Sequence, residues 1–201
     1  PYWLSFVARL RDAGFDGRVA FGGTYASRFP AHVLRTGLVD AVLVGNSVHA
    51  MLEYSIESGE RGGEQVLDSR SRAVGVASPD FDLLQGWPHD YGVDPLLFLH
   101  PADAAPRTVA PVLTAHGCPF SCSFCPTPLF FDDQYSSGDV VQAVDRIEAH
   151  ANSGVSAFSI WDDTFTVSPK RVEEFCRTII ERGIEATWWC FGRSEWVARR
   201  P

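Results

Sequence analysis

The chain has 201 residues, of which 45% are hydrophobic, and a formal net charge of −8. Such a composition supports one packed domain or two small ones and excludes a disordered chain. The acidic balance argues against a nonspecific nucleic-acid binder, and no apolar run is long enough to span a membrane.

Trp3, Leu4, Val7, Ala8 and Leu10 recur at helical spacing, with Gly14 where a helix would end. Arg18 to Phe21 reads as a short strand, followed by Gly22-Gly23-Thr24. Pro30 opens a helix to Arg35 that Gly37 closes. Asp40 to Val44 is an apolar run of the buried-strand type, then comes Gly45-Asn46-Ser47 and a helix over 48–57. Helix, strand, helix, strand, helix predicts a parallel sheet with helices packed on it, and ligands on such sheets bind at the carboxyl ends of the strands. Gly22, Gly23, Thr24 and Gly45 all lie at such ends. A tight turn alone also accounts for a Gly-Gly pair.

Residues 59–107 are rich in Gly, Pro, Asp and Arg, with short apolar pieces at Val66-Leu67 and Leu96–Leu99. They read as a linker carrying one or two short strands or turns. His89 and His100 within it read as solvated or structural.

Val109 to Thr114 is expected as the first strand of a second sheet, ending at the cysteines. A helix over 139–150 carries Val140, Val144, Ile147 and Ala151 on one face, and Val155 to Trp161 reads as the next strand. Ser168 is the expected N-cap of a further helix with Pro169 at its first position. That helix is expected to bury Val172, Phe175, Cys176, Ile179 and Ile180. Ala186 to Cys190 is the third strand, and Cys176 and Cys190 both read as core residues. Strands alternating with helices predict a βα barrel, whose active-site residues gather at the carboxyl ends of the strands. That rule selects the cysteine loop, Asp162-Asp163-Thr164-Phe165 and Gly192-Arg193.

Cys118, Cys122 and Cys125 stand in the spacing C-x3-C-x2-C. Three thiolates so close together can hold three irons of a cubane iron–sulfur cluster and leave the fourth iron open to a small molecule. Zinc is the alternative, with His116 completing a set, but no second ligand pair stands at finger spacing. Three close cysteines in an odd total of five do not form a secreted disulfide framework, so a reducing cytoplasm is expected. Asp162 and Asp163 are costly to desolvate without partners, and a bound cation would relieve that cost. Arg193 could face a carboxylate as a guanidinium fork. A helix cap for the aspartates and a surface charge for Arg193 are the structural alternatives.

The stretch from Gly117 to Cys125, Gly-Cys-Pro-Phe-x-Cys-x-Phe-Cys, resembles the signature of radical S-adenosylmethionine enzymes, including the aromatic Phe124 before the last cysteine. The Asp-Asp-x-Phe pattern from Asp162 and the Trp-x-Cys-x-x-Arg pattern ending at Arg193 resemble the subgroup with an N-terminal cobalamin-binding domain. The resemblance implies an α/β protein in which residues 1–63 are the C-terminal part of a Rossmann-like cobalamin-binding domain. Residues 64–107 would be an inter-domain linker and 108–201 the N-terminal part of a radical S-adenosylmethionine barrel of partial TIM type. Pro1 lies inside an amphipathic pattern and Arg199-Arg200-Pro201 completes no element, so an internal segment of a longer protein is expected.

The implied metal ligands are Cys118, Cys122 and Cys125, holding a 4Fe-4S cluster. Phe124, Asp162, Asp163 and Arg193 are implied for S-adenosylmethionine, and Gly22, Gly23, Thr24 and Gly45 for cobalamin. The implied reaction is one-electron cleavage of S-adenosylmethionine to a 5′-deoxyadenosyl radical, used for cobalamin-linked methyl transfer. The substrate would be a small molecule, and an external donor such as flavodoxin or ferredoxin would supply the electron. A cobalamin-independent cyclase or oxidative enzyme, or a metal-binding module without turnover, are the alternatives. Two departures stand out. Gly45-Asn46-Ser47-Val48 replaces the subgroup's Gly-Glu-Gly-Glu turn, and Ala143-Val144 stands where members often have Glu-Ile.

Overall fold

The computed structural model describes residues 2–56, 65–70 and 109–199. Most of the expected linker, with His89, Leu96–Leu99 and His100, lies outside them. The described residues fall into two compact units: 2–56 and 65–70 together with 119–134, and 109–118 together with 135–199.

The first unit opens with helix α1 (Tyr2–Asp12), followed by strand β1 (Ala20–Phe21), helices α2 (Thr24–Arg28) and α3 (Pro30–Leu34), strand β2 (Ala41–Val44), helix α4 (Val48–Ile56) and strand β3 (Gln65–Asp68). The strands form a parallel sheet in the order β1-β2-β3, with Ala20 beside Ala41 and Ala41 beside Gln65. The expected parallel sheet is present. β1 is shorter than Arg18 to Phe21, and the Val66-Leu67 piece expected within the linker is the third strand of this sheet. All four residues of β2 are buried, as an apolar run covered on both faces should be. The core joins Ala26, Val33, Val39, Val42 and Val44, with the Trp3 ring stacked on Phe21 at 4.0 Å. Asp40 anchors the entry to β2: its carboxylate accepts from the Val19 amide at 2.7 Å and from the Arg11 guanidinium at 2.9 Å.

The second unit contains strand β4 (Val109–Val112), a hairpin of β5 (Ala115–Gly117) with β6 (Tyr135–Ser137), helix α6 (Val140–Asn152), strand β7 (Ala157–Ile160), a 3-10 turn (Phe165–Val167), helix α7 (Pro169–Glu181), strand β8 (Thr187–Cys190) and helix α8 (Ser194–Arg199). Helix α5 (Thr127–Phe131) lies between β5 and β6 in the chain and belongs to the first unit. β4, β7 and β8 form a parallel sheet in that order, with Val109 beside Ala157 and Ala157 beside Thr187.

Both expected helix starts are present. Asp139 accepts from the Gln142 amide at 2.9 Å, and Ser168 from the Arg171 amide at 3.4 Å with Pro169 next to it. Each satisfies one orphan donor of a first turn. The inward faces of α6 and α7 meet the sheet through Val144, Ile147, Phe158, Ile160, Phe175 and Ile179. Phe165, Phe175 and Trp188 meet edge to face, with centroids 5.1 to 5.7 Å apart. Two expectations need correction. β4 stops at Val112 and not at Thr114, because the polar groups of Thr114 are taken by other elements, as described below. Ile180 is 76% exposed, because it falls one position beyond the buried stripe of α7. Cys176 and Cys190 are partly buried against the core.

Two positions on α7 give opposite expectations. Phe175→Ala should cost about 3–5 kcal/mol through cavity formation, while Ile180→Ala should stay within about 0.5 kcal/mol. Chemical denaturation of the two variants checks the pair. Burial pushes the Cys190 thiol from 9.0 up to about 11. The folded state therefore holds this proton more tightly than the unfolded chain, so the stability it contributes is intact below pH 9.0 and is lost as pH rises towards about 11. Alkylation of Cys190 by iodoacetamide, followed by mass spectrometry, should accelerate only in that range.

Candidate functional site

The carboxyl ends of the second sheet are joined by a polar ladder that begins where β7 ends. Asp162 is 1% exposed, and its carboxylate accepts from the Thr114 amide at 2.6 Å, the Thr114 hydroxyl at 2.5 Å and the Ala115 amide at 2.9 Å. Asp163 accepts from the Gly117 amide at 3.0 Å. The Thr164 hydroxyl lies 3.4 Å from Cys118 Sγ and donates to the Asp163 carbonyl at 2.7 Å. Three consecutive residues after β7 thus meet the segment from Thr114 to Cys118 in register.

Thr114 is held on every polar group. Its carbonyl accepts from the Gly138 amide at 2.9 Å and from Arg171 Nη2 at 3.0 Å. The cysteine excursion therefore leaves from and returns to one fixed point, the β5–β6 hairpin. Arg171 is buried, 5.9 Å from the Phe165 ring centroid, and its Nε and Nη1 have no hydrogen-bond partner in the structure. Neither Thr114 nor Arg171 stands out in the sequence. Arg171 occupies the first turn of an amphipathic helix, where arginine ordinarily reads as solvated, and the Thr114 partnership spans 48 residues.

None of the five cysteines forms a disulfide. Cys118 is buried, whereas Cys122 and Cys125 are partly exposed on the loop that belongs to the first unit, where the Cys125 amide donates to the Cys122 carbonyl at 3.0 Å. Among the described residues, no group of three or more His, Cys, Asp or Glu side chains is gathered as a metal site. Burial depresses the His116 pKa below its usual value, favouring the neutral imidazole. Arg193 Nε donates to Glu195 at 2.8 Å and its amide to Thr166 at 3.3 Å. Ala143 and Val144, at the positions of the missing Glu-Ile pair, are fully buried in the core.

In the first unit a cavity of about 490 Å³ is lined by Thr24, Tyr25, Ser27, Arg28 and Phe29 on one side and by Phe124, Cys125, Leu129 and Phe130 on the other. It brings Thr24, from the first glycine turn, together with Phe124 and Cys125 from the cysteine motif. Gly23, beside this wall, has φ +96°, and a Cβ placed there would meet no atom within 4 Å, so backbone conformation and not crowding requires glycine. Gly45 is different. A side chain there would come within 2.8 Å of the Arg70 backbone, giving Gly45 a packing reason of its own. Ser27, which sequence reasoning missed, ties the two turns: its hydroxyl donates to the Gly23 carbonyl at 2.9 Å and accepts from the Gly45 amide at 2.9 Å.

Asp162→Ala would leave three buried donors without an acceptor and is expected to cost about 3 kcal/mol or more. Asp163 is exposed, so Asp163→Ala should cost under about 1 kcal/mol. Urea unfolding of the two variants checks the contrast.

No protein-family profile matches the chain. An uncharacterised methyltransferase of Pyrococcus horikoshii is 28% identical over 158 residues, which is 78% of this chain and 32% of that protein. An anaerobic magnesium-protoporphyrin IX monomethyl ester cyclase of Cereibacter sphaeroides is 42% identical over 71 residues, covering 35% of this chain and 11% of the cyclase. The chain thus spans about a third or less of the length of these relatives. Among solved structures, the radical S-adenosylmethionine methyltransferase TsrM from Kitasatospora setae, with cobalamin and a 4Fe-4S cluster bound, aligns with a TM-score of 0.61 at 20% identity. The alignment covers 89% of this chain and 37% of TsrM. No helix among the described residues is long and apolar enough to cross a membrane. With parallel sheets in both units and a cysteine excursion that springs from the β5–β6 hairpin, the chain shares the fold of the part of TsrM with which it aligns.

Proposed function

We propose that the protein is a radical S-adenosylmethionine enzyme that holds a 4Fe-4S cluster through Cys118, Cys122 and Cys125 and carries out cobalamin-linked methyl transfer to a small molecule. The observation that carries this reading is the cavity shared by Thr24, Phe124 and Cys125. Its volume lies in the range of small-molecule and cofactor sites, about 300–1,000 Å³. The donor set fits a cluster, since none of the three cysteines is taken up in a disulfide. Binding would draw the three sulfurs of the 118–125 loop together.

When bound, the cluster would supply one electron to the sulfonium of S-adenosylmethionine, releasing a 5′-deoxyadenosyl radical. The chain's own residues have other tasks. The Asp162–Thr114 bonds fix the departure point of the loop, and Asp163 holds the Gly117 amide next to Cys118. Phe124, 88% exposed, offers an aromatic face at the cavity wall, beside Leu129 and Phe130. Arg28 brings a cation to the opposite wall, suited to a carboxylate or phosphate group. In this reading Asp162 acts through the backbone it braces, and Arg193, held at Nε by Glu195, would turn its Nη donors to a ligand. An external one-electron donor such as flavodoxin or ferredoxin would serve the cluster. The likeness to the Cereibacter sphaeroides cyclase favours a second reading, a radical cyclase that retains the first domain.

Reconstitution with iron and sulfide under argon should give a reducible cubane cluster, and replacing Cys118, Cys122 and Cys125 by Ala should remove it. Four irons retained in the triple variant would sink the assignment. Calorimetry with S-adenosylmethionine on the reconstituted protein should show binding, whereas a metal-binding module without turnover should show none. Protein purified with excess hydroxocobalamin should keep a corrin spectrum. Its absence would remove methyl transfer and leave the cyclase reading.

A further inference from the structure

The ladder after β7 ends on a sulfur. Asp162 bonds Thr114 and Ala115, Asp163 bonds Gly117, and Thr164 then meets Cys118, so the register of the first two rungs fixes the third. Thr164 is 6% exposed and Cys118 9%, which keeps water from competing for this contact. The Thr164 hydroxyl has one proton and two neighbouring acceptors, the Asp163 carbonyl at 2.7 Å and Cys118 Sγ at 3.4 Å. While Cys118 is a thiol, its S–H can donate to Thr164, and the Thr164 proton goes to Asp163. A metal-bound sulfur has no proton and is an acceptor only. The hydroxyl is then the neighbouring group positioned to donate to it, and hydrogen bonds to charged acceptors are stronger than neutral ones.

We propose that Thr164 is a positioning residue for the cluster, whose hydroxyl donates to Cys118 Sγ and raises the cluster's reduction potential. The inference rests on the cluster assignment made above. Reduction adds one electron from an external reductant and no proton, so negative charge grows on the cluster and its sulfur ligands. A hydrogen bond to a sulfur ligand stabilises that charge and is one of the means by which proteins set cluster potentials. The sequence motif supplies no reason for a hydroxyl between Asp163 and Phe165, whereas the contact with Cys118 does.

The test is a mediated potentiometric titration of the reconstituted protein, followed by electron paramagnetic resonance. Thr164→Val removes the donor while keeping the shape, and Thr164→Ser restores the donor. The expected result is a tenfold fall in the reduction equilibrium constant for Thr164→Val, about 59 mV more negative for a one-electron couple, with iron content unchanged. Thr164→Ser should match the wild type. If Thr164→Val does not fold, Thr164→Ala makes the same measurement. Equal potentials in all variants, with full iron content, overturn the proposal. So does a potential that moves equally in Thr164→Ser, since the hydroxyl would then not be its cause. A wild-type protein that forms no reducible cluster overturns both this inference and the assignment beneath it. That outcome is recognisable because Cys118→Ala then behaves as wild type.

Discussion

A buried carboxylate meeting the end of a strand governs the second unit. Asp162 is shut away from water, and a carboxylate so placed is tolerated only when its oxygens are well provided with donors. Thr114 and Ala115 provide three. The same bonds stop the β4 ladder, since the Thr114 amide cannot serve both the sheet and the aspartate. Where the ladder stops, the chain turns into the hairpin that bears the cysteines. One local electrostatic requirement thus decides the length of a strand and the origin of a loop.

The buried cation opposite is the counterpart of this arrangement. Arg171 donates to the carbonyl of the residue whose amide and hydroxyl serve Asp162. The amide of that same peptide group, on Ala115, donates to Asp162, so carboxylate and guanidinium act on the two ends of one peptide and polarise it in the same sense. Hydrogen bonds arranged in such chains strengthen one another in a low dielectric. Arg171 also reaches the aromatic cluster at Phe165, so the polar knot and the apolar core share a side chain.

Much of this frame is legible in the sequence. The α6 and α7 stripes recur at helical spacing, and Ser168 announces the start of α7 because capping is a local interaction between a side chain and the backbone three residues on. The buried run of β2 is readable because its apolar residues are contiguous. What escapes is either short or distant. β5 and β6, Ala-His-Gly and Tyr-Ser-Ser, are too brief and too polar to show a two-residue period. α5 contains Pro128 and two adjacent phenylalanines, which resemble a loop flanking the motif more than a helix. Ile180 departs from expectation because a hydrophobic residue next to a stripe looks like part of it. Of the candidate site, the strand-end rule finds Asp162, Asp163 and the cysteines, but their partners stand 46 to 48 residues away and leave no trace in spacing. The part played by Ser27 is equally hidden, since a serine in a short helix has no pattern to mark it.

The hairpin beneath the cysteine loop has a further meaning for how the protein can change over time. β5 pairs with β6, and the Gly138 amide closes on Thr114, so backbone bonds bring the two ends of the excursion together. The entropic cost of closing a flexible loop grows slowly with its length, by about 0.6 kcal/mol for each doubling. A loop clamped at its base can therefore gain or lose residues between α5 and Tyr135 with little penalty to the sheet from which it springs. Length changes there leave the register of the β4-β7-β8 sheet untouched.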